Sequence, residues 1–356
     1  MVVPSGSALS THFTDGAVDA AGVQVPRVRT ALTWRDHWGT LLARWAIHRM
    51  DYRVAPGLYA AGTPDATSPV LVSANYKMSF DCVRSALAGR HAWLLVLDTA
   101  GINVWCAAGK GTFGTDELVR RVADTGLDRV VSHRKLVVPQ LGAPGVAAHE
   151  VRQRCGFRVM YGPVRAEDLA AFLDAGMKAS PEMRQVRFNL RDRMTLSPVE
   201  LMQGYKVVLP VAAVLLLLGG LRSSGWSWDA ARQTGGLAAL LLFAAFTGAA
   251  VLGPALLPWL PGRAFSVKGA MLGVAFAALL PLTGGAGSPW HTAAWALLIP
   301  ALASFALMNF TGATTFTSLS GVLAEMRRAV PVQVTAAVVG LGLWVAGLWL
   351  DGGPTT

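Results

Sequence analysis

The sequence predicts an α/β Rossmann-like domain followed by an all-α, multi-pass transmembrane domain of about five helices. Three observations lead there. Through residue 178, short apolar strands alternate with amphipathic helical stretches, the pattern of a sheet covered by helices. Beyond residue 204, long apolar runs follow one another with almost no charge between them. Charge divides the same way: residues 201–356 hold only Lys206, Arg222, Arg232, Arg263, Lys268, Arg327 and Arg328 against Asp229, Glu325 and Asp351. That leaves 24 basic and 18 acidic residues to the first 200.

Residues 1–25, rich in Gly, Ala, Ser and Asp, predict a loose leader without the apolar core of a signal peptide. A helix is expected at His37–His48, inside a stretch to Ala60 of otherwise mixed pattern. Val70–Ser73 is a short buried strand, Phe80–Leu87 a helix, and Trp93–Leu97 a second strand. Glu117–Ala123 is a helix, Val130–Val131 and Leu136–Val138 are strand candidates, and Ala147–Arg154 is a helix. Arg158–Tyr161 is a strand and Glu167–Leu173 a helix, so the sheet is expected to be parallel in the main. Ligands bind at the carboxyl ends of such strands. Ser73–Tyr76, Gly101–Lys110 and Gln140–Gly145 all fall there.

Five apolar runs follow, at Tyr205–Leu221, Gly235–Leu257, Val267–Leu282, Ala293–Met308 and Val332–Leu350. Spanning hydrocarbon takes about 20 residues, with about 17 as the lower limit. The organisation expected is therefore a leader of open role at 1–50, an α/β ligand-binding domain at 51–178, a basic connector at 179–204 and a transmembrane domain at 205–356. With the α/β domain in the cytoplasm, the inner loops carry Arg263, Lys268, Arg327 and Arg328, and the outer loops only Arg222 and Arg232. With the basic connector on the same side, the positive-inside bias places the N-terminal domain in the cytoplasm, and a multi-pass protein of the cytoplasmic (inner) membrane is expected. Asn309–Gly312 and Thr314–Ser320 form the most polar stretch of this half, an interhelical turn or a docking loop. Neither it nor the spans offers the intramembrane acid, His or Cys pair that a heavy-metal permease requires.

The net charge of +10 is scattered rather than gathered into a basic stripe with aromatics, which argues against nucleic acid and for anionic headgroups, making membrane lipid the expected contact. Cys82, Cys106 and Cys155 are far apart and form no C-x-x-C, so no structural zinc site or iron–sulfur cluster of the chain's own is expected.

The most informative stretch is Asn103-Val104-Trp105-Cys106-Ala107-Ala108-Gly109-Lys110. It sets one cysteine on a short, glycine-ended helical turn just after the Trp93–Leu97 strand, beside backbone N–H groups that favour a metal-binding thiolate. Cys82 and Cys155 lie on expected helices among ordinary neighbours; Cys106 is surrounded by polar, aromatic and small residues shaped around a ligand. Gly109–Gly114 also fits G-x-G-x-x-G, with Asp128 near the acidic position of a dinucleotide site. The glycines, however, do not follow the strand directly, and a P-loop fails because Gly111 stands where Ser or Thr is required.

Gly57–Tyr59, Pro69–Lys77, Gly101–Thr115, Gln140–Gly145 and Gly162–Arg165 together resemble HgcA, the corrinoid protein family of microbial mercury methylation. The same blocks are similar to the large subunit of the corrinoid iron–sulfur protein of acetyl-CoA metabolism. The octapeptide around Cys106 and the fused membrane half favour HgcA; Ser73 departs slightly, standing where that family more often has threonine. The resemblance implies a corrinoid-binding domain that holds a cobamide base-off, with cobalt ligated from below by Cys106. None of the seven histidines sits in the D-x-H-x-x-G of histidine-ligated cobalamin proteins.

The binding residues so implied are Ser73, Asn75, Gly101, Asn103, Val104, Trp105, Cys106, Ala107, Ala108, Gly109, Lys110, Gly111, Gln140, Leu141, Gly142, Ala143, Pro144 and Gly145. Asn103 would tune the sulfur, and Trp105 would either cover the corrin or simply pack in the core. The implied reaction is methyl transfer from methyl-Co(III) to Hg(II), giving methylmercury and Co(III). Sulfur donation opposite the methyl favours its departure as a carbanion equivalent, which a soft electrophile demands. The implied partners are the ferredoxin-like HgcB as electron donor and a methyl-donating methyltransferase. The alternative is a corrinoid methyl carrier in one-carbon and acetyl-CoA metabolism without mercury activity.

Overall fold

The computed structural model describes residues 12–283, 286–313 and 319–350. The chain divides into two compact units, one of residues 1–43 and 47–186, the other of 44–46 and 187–356.

The first unit is built on a seven-stranded mixed sheet, in the order β1-β2-β3-β5-β4-β6-β7. The strands are β1 (Thr14–Ala20), β2 (Val23–Val28), β3 (Gly57–Ala61), β4 (Val70–Ala74), β5 (Ala92–Leu97), β6 (Lys135–Val138) and β7 (Arg158–Tyr161). β5, β4, β6 and β7 run parallel to one another and β2 parallel to β3, while β3 runs antiparallel to β5 and β1 antiparallel to β2. Four of the six pairings are thus parallel, in line with a sheet parallel in the main, and the expected strands fill its β5-β4-β6-β7 half. The other half was hidden by composition: Gly57-Leu58-Tyr59-Ala60-Ala61 is buried along its whole length, but its small residues give no β-branched signal.

The helices of this unit are α1 (Trp34–Arg44), α2 (Lys77–Ala86), α3 (Val104–Lys110), α4 (Thr115–Asp124), α5 (Leu127–Val130), α6 (Ala148–Cys155) and α7 (Leu169–Asp174). Two expectations are corrected. Val130–Val131 is not a strand; Val130 closes the α5 turn, with Val131 N–H returning to Leu127 O at 3.1 Å. The loose leader is a hairpin over residues 14–28, because Val25 and Val28 are buried and β2 adds in parallel to β3. Residues 1–11 of that leader lie outside the described residues. α1 also begins earlier than expected, with Thr33 donating from its backbone N to Asp36 Oδ2 at 2.8 Å.

A buried charge network fastens this N-terminal layer to the core. Lys77 Nζ lies 2.6 Å from Asp36 Oδ1 and 2.7 Å from Asp81 Oδ2; Arg84 reaches Asp81 at 2.7 Å and Asp36 at 3.0 Å. All four side chains are at most 5% exposed. Burial by itself would push the Asp36 carboxyl up, but hydrogen bonds from Lys77 and Thr33 and the Lys77 charge hold it well below the usual carboxylate range.

The second unit is helical, with α8 (Leu190–Met194), α9 (Ser197–Leu218), α10 (Trp228–Ala230), α11 (Gly236–Leu256), α12 (Phe265–Ala278), α13 (Pro289–Ala313) and α14 (Leu319–Leu350). Among the described residues, five helical segments are long and apolar enough to cross a membrane: Leu190–Leu218, Trp228–Leu256, Phe265–Leu282, Pro289–Phe310 and Ser320–Leu350. The basic connector expected at 179–204 is therefore partly helix, and its last residues open the first of these segments. Arg193 explains part of its basic character. It donates to Pro254 O at 2.7 Å and Ala255 O at 3.3 Å, and Lys268 Nζ donates to Leu257 O at 2.7 Å. Two cations thus satisfy the carbonyls at the end of α11. Gly269 and Gly273 let α12 close on α13: a Cβ at Gly269 would lie 2.4 Å from Ala303 O. Of the polar stretch singled out above, residues 314–318 lie outside the described residues.

Removing one member of the buried network strands the others. Lys77→Met should cost about 3–5 kcal/mol in chemical denaturation of the full chain. Because the folded-state pKa of Asp36 is depressed, its stabilisation is complete above the unfolded value of about 4 and is lost as pH falls below it. The Tm gap between wild type and Asp36→Asn should therefore be widest near neutrality and narrow below about pH 4.

Candidate functional site

Parallel pairing of β5, β4 and β6, with β7 beyond, brings the segments after these four strands to one edge of the sheet. The Ser73–Tyr76, Gly101–Lys110, Gln140–Gly145 and Gly162–Arg165 stretches meet there.

Asn75, directly after β4, organises that edge. Its side-chain Oδ1 accepts from Thr99 N at 3.1 Å and from Gly101 N at 3.0 Å, and its Nδ2 donates to Asp98 Oδ1 at 3.1 Å. The β4 end therefore holds the loop that leaves β5. Glu117, buried on α4, takes Asp98 N at 2.8 Å and is itself neutralised by Arg121 at 2.7 Å. Gly101 adopts φ 74°, and a Cβ there would stand 2.7 Å from Met50 O, so both its conformation and its neighbour demand glycine.

The loop delivers α3. Asn103 is its N-cap, its side-chain oxygen accepting from Cys106 N at 2.9 Å. Gly111 closes the helix in the left-handed region at φ 81°. Val104, Trp105 and Cys106 are partly exposed, Ala107 and Ala108 are buried, and Gly109 and Lys110 face solvent. Beneath α3 lies the Gln140–Gly145 segment. Gly142 packs on the Phe113 ring, and a Cβ at Gly145 would sit 2.2 Å from Phe113 O and 3.0 Å from Ala108 Cα. Thr115 ties the two stretches, its N donating to Gly145 O at 3.1 Å and its Oγ1 accepting from Ala147 N at 2.8 Å.

The implied binding residues therefore separate by place. Asn103–Cys106, Lys110, Gln140, Leu141, Ala143 and Pro144 reach the surface of this edge to some degree. Ser73 and Asn75 are 1% and 2% exposed; the Ser73 hydroxyl lies 3.3 Å from Ala74 O, and both act inside the scaffold. Gly109–Gly114 joins the end of α3 to the start of α4 rather than a strand to a helix, with Gly114 as the α4 N-cap. That geometry is not a dinucleotide turn, which needs its glycines between strand and helix. Asp98, Thr99, Phe113, Thr115 and Glu117 were missed. Asp98-Thr99, a polar pair closing a fully apolar strand, was the available signal.

Cys106 is in no disulfide, as are Cys82 and Cys155, and no three His, Cys, Asp or Glu side chains among the described residues converge on a metal position. A cavity of about 610 Å³ does occur, but at the amino ends of β4 and β6, lined by Val70, His91, His133 and Lys135. Its polar groups are spent locally: His133 Nδ1 accepts from Lys135 N at 3.2 Å, and Arg90 pairs with Asp174 at 2.7 Å.

Residues 44–173 match the family model of the CO dehydrogenase/acetyl-CoA synthase delta subunit. The chain is also 35% identical over 128 residues to the acetyl-CoA decarbonylase/synthase complex subunit gamma of Methanopyrus kandleri. It is 30% identical over 140 residues to that of Archaeoglobus fulgidus and 28% over 156 residues to that of Methanothermobacter thermautotrophicus. The α/β domain is a sequence relative of these subunits. The matches cover 35%, 38% and 43% of this chain but only 27%, 29% and 32% of the relatives, so the chain spans under a third of their length. The family match begins at residue 44, within the last turn of α1, and takes in the whole β4–β5–β6–β7 edge.

Two substitutions test this scaffold. Asn75→Ala leaves Thr99 and Gly101 N–H groups without their acceptor, at about 1–3 kcal/mol for each stranded donor. Amide hydrogen exchange should show protection lost first at residues 98–104. Gly145→Ala forces Phe113 away from α3 and should lower stability by about 1–3 kcal/mol, read by denaturant titration.

Proposed function

We propose that this protein is a membrane-anchored corrinoid protein that carries and transfers methyl groups, with Cys106 as the lower ligand of cobalt. The observation that carries the reading is the position of Cys106. It is a partly exposed thiol on a helix capped by Asn103, at the edge where all the strand-end motifs converge. The donor set fits the cofactor, because a corrin brings four equatorial nitrogens and asks the protein for one axial atom. The relatives, subunits of acetyl-CoA decarbonylase/synthase complexes, support a corrinoid role for the same fold segment.

When bound, a cobamide supplies cobalt as the atom that accepts and releases the methyl group. This chain's residues do the rest. Asn103 accepts the Cys106 N–H and so fixes the first turn of α3, setting the direction in which the sulfur points. Trp105, next to it and partly exposed, offers an aromatic face at the same surface. Gly142 and Gly145 let the 140–145 segment lie flat under α3, so that the turn cannot sink away from its position. Gln140, Leu141, Ala143 and Pro144 extend the exposed edge and would offer contacts to a macrocycle bound there.

As methyl acceptor we propose Hg(II), on the octapeptide around Cys106 and its fusion to a helical membrane unit. Cys106 would supply the electron-rich sulfur donor to a bound cobamide, a donor type suited to delivering a methyl group to a soft metal ion. Electrons for the cycle would come from a ferredoxin-like partner of the HgcB kind and methyl groups from a separate methyltransferase, the protein working at the cytoplasmic membrane. A second reading is the one the relatives' names favour: a methyl carrier in one-carbon and acetyl-CoA metabolism that never meets mercury.

The full chain in detergent, reconstituted with cobamide, should retain cobalt and show a visible spectrum that changes on Cys106→Ala. Retention of an unchanged spectrum by that variant rules out the sulfur ligand. In cells lacking the gene, wild type should restore methylmercury formation and Cys106→Ala should leave it at background. Cobamide binding without any methylmercury selects the one-carbon reading.

A further inference from the structure

α1 has an outer face that the α/β domain leaves uncovered. Its inner side is set by Asp36 and Ala43, both 1% exposed, and by Gly39, where a Cβ would lie 2.6 Å from the Tyr52 ring. Trp34, Trp38 and Leu41, spaced by four and three residues, are 71%, 54% and 44% exposed, and Trp45, just past the helix, continues the register. At about 100° per residue these positions share one narrow stripe. Arg35 flanks it on one side, His37 and Arg44 on the other, and all three are exposed. Asp36, the helix's one acid, is turned inward and engaged by Lys77 and Arg84. The stripe is therefore aromatic at its centre, flanked by Arg35 and Arg44, and free of exposed acids.

We propose that α1 lies along the bilayer surface with Trp34, Trp38 and Leu41 among the lipid headgroups. Indole rings, apolar in body with one N–H donor, prefer that depth. Arginines beside them match anionic headgroups, at about 1 kcal/mol for each cation near the surface. A bilayer is the occupant the chain itself points to, since five helices of membrane length occur among its described residues. A chain anchored in that bilayer meets its surface at high effective concentration, so a single helix face suffices. This inference rests on the membrane reading of the helical unit and is independent of cobamide.

The test uses the full chain labelled with 5-fluorotryptophan, in nanodiscs of phosphatidylcholine and phosphatidylglycerol. Trp34→Phe and Trp38→Phe identify the two fluorine resonances by their loss. Both signals should broaden several-fold more with a headgroup-region spin-labelled lipid than with a water-soluble gadolinium chelate. Stronger broadening by the chelate overturns the proposal, because the face then points into water. Protection from both agents overturns it as well, since protein, a second copy of the chain included, then covers the stripe. A chain that stays soluble without detergent and never enters the discs refutes the membrane reading itself.

Discussion

One side-chain amide holds the candidate site together. Asn75 stands where β4 ends, and its oxygen gathers the N–H groups of Thr99 and Gly101 while its nitrogen holds Asp98. A loop leaving a buried strand has backbone donors that water cannot reach, and each must find an acceptor. Here one neighbouring strand supplies it. α3 follows directly from the loop so fixed, and the placement of Cys106 depends on that chain of contacts rather than on any bond made by the sulfur.

The same economy explains why so many residues of the site face inward. Gly142, Gly145, Phe113 and Thr115 bring the 140–145 segment against α3, and Glu117 secures the β5 loop from the other side. These residues determine how rigidly the thiol is presented.

Around this edge the N-terminal layer is attached by charge. Asp36, Lys77, Asp81 and Arg84 form a closed, buried set in which each ion has an opposite partner. Such a set adds little to stability over an apolar core, yet it tolerates one arrangement of α1 against α2. That arrangement turns the only acid of α1 inward and its tryptophans outward. The electrostatics of the core and the character of the surface are thus two sides of one helix.

Sequence by itself determined the division into an α/β part and a membrane-length helical part, because hydropathy and charge are properties of local composition. It also determined the strands β4, β5, β6 and β7 and the strand-end loops, since apolar runs bounded by polar and glycine residues mark both. The cysteine stood out through its neighbours Asn103, Trp105 and Gly109. Tertiary structure alone decided the mixed half of the sheet, β1-β2-β3, in which small residues such as Ala60 and Ala61 are buried by pairing rather than by propensity. It alone decided that residues 14–28 form a hairpin and that Val130–Val131 does not form a strand. It also showed Asn75 bracing the loop after β5, and it placed the G-x-G-x-x-G glycines between two helices. The reason is common to all of these: each depends on which distant segment lies alongside, a relation between parts of the chain that no local pattern encodes.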